Sequence, residues 1–341
     1  LDRALAAVLL LGVAFYRVVL SPLVGGACRF TPSCSQYAVQ ALRRLYPAVY
    51  GNDLFFLFGS QDEFTFFTPI YAAFIDLVGL NAATITLLLA GFALWIAAAM
   101  ALAASLVRGF TFWLALTFIF ALPGTYLPNS VLGYAEPFLT ARLPAEAFTL
   151  LSMAMLLRGK WAYSFVALLV AFAFHPLMAM GGGALAGLYV LRNHWKWGVL
   201  LAVAGFALAA ILAFAGIGPL DRMFRVMDGQ WHQLAIQRFD VTSPLGLQLK
   251  DWNPVLFSLS LLSAAAFAAS GRLRVIFVLA FVVGLGGIAL TVIGTLFLHN
   301  VLLIQMQPWR ALWLTKLFSC IAAAWLIPEF WRRNETYRLL L

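Results

Sequence analysis

Thirteen carboxylates and four histidines supply the acid–base chemistry of a 341-residue chain, so where they fall is informative. Asp53, Asp62 and Glu63 crowd one short polar stretch. A carboxylate there can take a proton from an acceptor hydroxyl, or hold a divalent cation against a diphosphate. The same three residues also fit a plain solvated loop, and both readings stay open. Glu136 and Arg142 close the run GYAEPFLTAR, where the guanidinium can grip a phosphate in a two-pronged contact or pair with Glu136 or Glu146. His175 precedes Pro176 inside a long apolar run. An ionisable group at membrane depth points to function by default, and a neutral imidazole can equally cap a broken helix. Asp228 and His232 lie one helical turn apart and can pair. Arg310 follows Gln307-Pro308-Trp309, from which it can reach outward to headgroups or bind a lipid phosphate. Glu136, Arg142, His175, Asp228, His232 and Arg310 are therefore the candidate substrate contacts. No metal site, nucleotide-binding loop or nucleophile elbow is legible.

The elements that carry these residues follow from composition. Hydrophobic residues make up 64% of the chain and charged residues 10%, with a mean hydropathy of +0.94. That leaves too little polar material to cover a water-soluble particle of this size. Disorder, a disulfide scaffold and a coiled coil are excluded on the same grounds, and an all-α polytopic membrane bundle remains. About nine to eleven membrane segments are expected, some broken or re-entrant. They are placed at 4–20, 64–80 (interfacial or re-entrant), 83–107, 110–126, 143–157, two within 161–191, then 197–216, 253–270, 272–297 and 301–331. The break inside 161–191 is expected at His175-Pro176, because proline removes a helical N–H and clashes one turn back. Gly181–Gly183 and Gly187 offer close helix contact. The net charge of +9 reflects basic residues at the ends of apolar runs, which orients the spans and gives no nucleic-acid surface. Outer loops fall near 45–63, 127–146 and 217–252, the last with an amphipathic helix through Met223, Phe224, Met227, Trp231, Leu234 and Ile236.

Residues 15–44 read FYRVVLSPLVGGACRFTPSCSQYAVQALRR. Ser21, Pro22, Cys28, Arg29, Phe30, Pro32, Cys34, Ser35 and Tyr37 in this order resemble the membrane protein insertion efficiency factor (YidD) family. The resemblance implies a bacterial inner-membrane protein linked to insertion or assembly of other membrane proteins, with the insertase machinery as partner. Residues 1–44 are thus a segment distinct from the polytopic domain, 45–341. Residues 4–20 either cross the bilayer or lie along its inner surface. Cys28 and Cys34 are open to three states: free thiols, a disulfide, or metal ligands. A Cys-x5-Cys pair with no nearby histidine falls short of the four ligands of a structural zinc.

The remainder weakly resembles polytopic GT-C-type glycosyltransferases, in which acidic residues of the first external loop act beside a lipid-linked sugar. That resemblance implies Asp53, Asp62 and Glu63 as catalytic residues, a polyprenyl-phosphate sugar as partner and a divalent cation as a possible cofactor. A transporter is the third reading, with Asp76, His175 and Lys316 nearest to the bilayer midplane. In every reading the chain is multi-pass and the bilayer is its solvent.

Overall fold

The computed structural model describes residues 34–50, 65–127, 132–238 and 243–333 apart from 246. Among these residues the chain is all-α, without a strand. Among the described residues four helical stretches are long and apolar enough to cross a bilayer: Leu80–Leu106, Trp195–Phe214, Gly271–Phe297 and Val301–Arg332. At 1.5 Å per residue even a helix of 20 residues reaches about 30 Å, the thickness of a hydrocarbon core. Shorter apolar helices are Phe67–Val78, Phe110–Ala121, Trp161–Phe174 and Pro176–Leu191. Composition dictates this outcome, since a lipid-buried backbone must bond to itself.

The contacts divide the chain into two units. The first takes the described residues up to 124 together with 132–179. It begins with α1 (Cys34–Leu45), followed by α2 (Phe67–Val78), α3 (Leu80–Leu106), α4 (Phe110–Ala121), α5 (Arg142–Leu157) and α6 (Trp161–Phe174). At its centre is α5, packed against both α3 and α6. Only Pro144, Phe148, Leu151 and Met155 of α5 escape full burial. Their spacing of four, three and four traces one narrow stripe along a 3.6-residue helix. The other faces of α5 are enclosed.

The helix break predicted at His175-Pro176 is present, between α6 and α7 (Pro176–Leu191). Pro176 has no N–H to offer, and the freed carbonyls find partners elsewhere. Phe66 donates its N–H to the Ala173 carbonyl at 2.9 Å, and the Thr65 hydroxyl donates to the Phe174 carbonyl at 2.6 Å. The same Thr65 oxygen accepts from the Phe67 N–H at 3.0 Å, so it also closes the start of α2.

The second unit takes the described residues among 125–131 and those from 180 onward. After α7 come α8 (Trp195–Phe214), α9 (Gly229–Arg238), α10 (Leu249–Ala268), α11 (Gly271–Val292), α12 (Val301–Met306) and α13 (Leu312–Arg333). α10, α11 and α13 pack against one another. The segment expected as one span over 301–331 is interrupted. Gln307 turns left-handed at φ 45°, and a 3-10 turn, Pro308–Ala311, precedes α13. That turn presses on α11 so closely that a Cβ on Gly287 would sit 2.6 Å from the Pro308 carbonyl oxygen. Gly181 makes the close approach expected of its glycine run, with Ala311 Cα 3.1 Å from where its Cβ would lie, whereas Gly187 faces open space.

Candidate functional site

The amphipathic helix α1 carries the C-terminal end of the N-terminal motif. Its apolar positions, Tyr37, Ala38, Ala41, Leu42 and Leu45, repeat at helical spacing and pack on α2. Tyr37 and Ala41 are buried in one cluster with Phe67, Tyr71, Ala72 and Ile75 of α2 and with Leu139 and Ala141. The Tyr37 ring meets Phe67 edge-on at 5.4 Å and 82°. Beside this cluster, three buried polar side chains have no hydrogen-bond partner among the described residues: Gln40, Thr68 and Thr140. Each is adjacent in sequence to a cluster member, so the motif helix joins the first unit through an interface that is apolar with a polar fringe. Cys34 and Ser35 open this helix. Ser21, Pro22, Cys28, Arg29, Phe30 and Pro32 lie outside the described residues, as do Asp53, Asp62 and Glu63.

The segment leading into α5 forms a buried ionic cluster in the same unit. Glu136 and Arg142 pair at 2.8 Å, and the two are 4% and 2% exposed. One turn along α5, Glu146 is 1% exposed. It accepts the indole N–H of Trp95 at 2.9 Å and the backbone N–H of Ala135 at 2.9 Å. Ala135 adopts φ 51°, a left-handed conformation that costs a residue with a Cβ about 1 kcal/mol or more. That conformation accompanies the N–H contact to the carboxylate. Tyr134 stacks on Trp95 at 5.7 Å and 11°, and its hydroxyl donates to the Ile119 carbonyl at 3.0 Å. Two carboxyls thus share this enclosed space with one guanidinium. Such a cluster persists only where hydrogen bonds offset the loss of water. The pairing of Arg142 with Glu136 is one of the arrangements open in the sequence. Glu146 was named there as a second possible partner for Arg142, but its bonds to Trp95 and Ala135 were not foreseen.

His175 closes α6, its N–H bonded to the Ala171 carbonyl at 2.9 Å, and its ring is half-buried. The carbonyls severed by the break are capped by Thr65 and Phe66 through the bonds given above.

In the second unit, Asp228 and His232 do not pair. The Asp228 carboxylate accepts the Trp231 N–H at 2.8 Å and caps the start of α9. The His232 ring bonds through Nε2 to the Thr295 carbonyl at 2.9 Å and stacks on His299 at 3.9 Å. The helix expected from Met223 begins only at Gly229. The preceding residues are drawn into backbone pairing: the Met227 N–H donates to His299, and the Val301 N–H donates to Arg225. Met227 is buried against Val301 and Ile304, while Trp231 and Leu234 stay exposed. Arg310 does not extend outward from its turn. It is buried, and its Nε donates to Gln307 Oε1 at 2.6 Å. No group of three histidine, cysteine or acidic side chains that could hold a metal is found among the described residues. Cys320 is buried in α13 and forms no disulfide among the described residues.

Comparison with known proteins bears on the N-terminal end alone. Residues 5–52 match the YidD family profile, described as "Putative membrane protein insertion efficiency factor". Proteins of the same name include one from Synechococcus sp. (strain CC9605), 49% identical over 47 residues, which are 14% of this chain and 51% of that one. Another, from Prochlorococcus marinus (strain MIT 9303), is 53% identical over 47 residues, covering 14% and 53%. A third, from Bacteroides fragilis (strain YCH46), is 47% identical over 47 residues, covering 14% and 64%. The chain thus spans between half and two thirds of the length of these relatives. No solved structure matches. What the comparisons establish is a membrane protein whose N-terminal segment is similar to membrane protein insertion efficiency factors, with α1 as the described part of that segment.

Proposed function

We propose that this chain acts in the insertion or assembly of membrane proteins, as a multi-pass protein of the bacterial inner membrane with the insertase machinery as partner. The observation that carries this reading is the burial of Tyr37 and Ala41, from within the matched residues, against Phe67 and Tyr71 of the first unit. Packed in this way, the insertion-factor-like helix is joined to the rest of the first unit. The test is the rate at which a reporter membrane protein becomes inserted in cells whose copy of this chain lacks residues 15–44. A slowed rate supports the reading, and an unchanged rate removes it. Arg44→Glu on the exposed face of α1 leaves the apolar contact with α2 intact and should slow insertion if that face meets a partner.

A second reading, a glycosyltransferase using a polyprenyl-linked sugar on the outer face, is favoured by one observation. The Glu136–Arg142–Glu146 cluster is buried within the first unit, and charges kept at such expense usually serve chemistry. In this reading Asp53, Asp62 and Glu63 supply the base. The cation that such an enzyme could use would rest on those same three residues, which lie outside the described ones, so no step is drawn through it. Purified protein given a polyprenyl-phosphate sugar should transfer the sugar, and Asp53→Asn should abolish transfer. No transfer by the unaltered chain sinks this reading.

A further inference from the structure

A cleft of about 180 Å³ opens between α10 and α11. Its walls are Ser263, Ala266 and Phe267 from α10 and Arg274, Val278 and Phe281 from α11. No acidic side chain lines it. Arg274 lies in the first turns of α11, beside the short connection from α10, and makes no hydrogen bond or ion pair among the described residues. In this it resembles the exposed Arg44 and Arg108 and differs from three other guanidiniums. Arg142 is paired with Glu136, Arg158 is bonded to Ser105 and the Ala101 carbonyl, and Arg310 is bonded to Gln307. Ser263, about 7.5 Å from the end of α10 at 1.5 Å per residue, likewise has no hydrogen-bond partner among the described residues. Ser258, five residues earlier, spends its hydroxyl on the Pro254 carbonyl.

A cation at the end of a helical pair, an uncommitted hydroxyl below it and an apolar floor beneath match one kind of molecule found in a bilayer. We propose that this cleft is a binding site for a single anionic phospholipid. The phosphate rests on Arg274, the glycerol ester region meets Ser263, and one acyl chain lies along Phe267, Val278 and Phe281. The volume suits a stretch of one chain, since it equals only about six waters at roughly 30 Å³ each. Charge decides which headgroup enters. A phosphatidylglycerol presents a net negative charge to Arg274, whereas the ammonium of a phosphatidylethanolamine is repelled by it. Basic clefts between membrane helices are where headgroups of this kind are held. The inference needs only that α10 and α11 meet lipid, and it is independent of the insertion reading.

Native mass spectrometry of the full chain in detergent, with chain-matched phosphatidylglycerol and phosphatidylethanolamine at equal concentration, tests it. The unaltered protein should retain one phosphatidylglycerol in preference. Arg274→Gln should remove the preference and lower retention roughly fivefold. Val278→Trp should fill the cleft and also lower retention while leaving the arginine in place. Lys196→Gln, which removes an exposed cation elsewhere, should change nothing. Equal retention of the two lipids by the unaltered chain, full retention in both cleft variants, or an equal loss in Lys196→Gln would overturn the proposal.

Discussion

Two helices, α5 and α8, show how this chain distributes its polarity. α8 (Trp195–Phe214) is apolar nearly throughout, and none of its residues is buried. α5 (Arg142–Leu157) carries Arg142, Glu146, Thr149 and Ser152, and all four are buried. Thr149 donates to the Ala145 carbonyl at 2.8 Å, and Ser152 donates to the Ser164 carbonyl at 2.8 Å. A water-soluble protein would be arranged the other way round. Here the apolar helix stays outermost because hydrocarbon welcomes it, and the polar helix goes inside because only other protein groups can satisfy it. Burial in this molecule therefore follows hydrogen-bonding need as much as hydrophobicity.

The contrast can be broken from either side. The largest effect is expected from Arg142→Met, which leaves Glu136 buried without its cation. Denaturation in detergent should show a loss of about 3–5 kcal/mol. On the other helix, Leu208→Arg places a charge where lipid should be. Its membrane insertion, read by a glycosylation-tag assay, should become less favourable by about 3 kcal/mol. If insertion is unaffected, α8 does not face hydrocarbon. Glu146→Ala strands the indole N–H of Trp95 and the N–H of Ala135, and the same denaturation measurement should register about 2 kcal/mol. Leu208→Ala should cost less than about 0.5 kcal/mol, because lipid fills the space that the shortened side chain leaves. A large loss there would show that α8 has a protein neighbour in the membrane.

Much of the architecture was legible because it follows from local rules. The helix break at His175 rests on one missing N–H. The same reasoning failed where a partner distant in sequence decided the outcome. Spacing alone allowed Asp228 to meet His232. In the fold, the carboxylate is taken by the nearby Trp231 N–H and the imidazole by the Thr295 carbonyl, 63 residues away. Met223, Phe224 and Met227 fall at helical spacing, yet Arg225 and Met227 pair through their backbones with Val301 and His299, so α9 starts late. Arg310 had the flanking Trp309 of an interfacial residue, and Gln307, turned left-handed beside it, kept it inside. In the site itself, Glu136 and Arg142 were visible as neighbours. The contribution of Glu146 depends on Trp95, 51 residues earlier, which no local pattern indicates.

The threonine at the start of α2 has a consequence for how the protein is made. Thr65 and its acceptor, the Phe174 carbonyl, are separated by 109 residues. On the ribosome the donor emerges first and must wait while α3, α4, α5 and α6 are synthesised. The bond that ties the start of α2 to the end of α6 therefore forms only once Phe174 has arrived, whereas the bond from the Phe67 N–H to Thr65 can form at once.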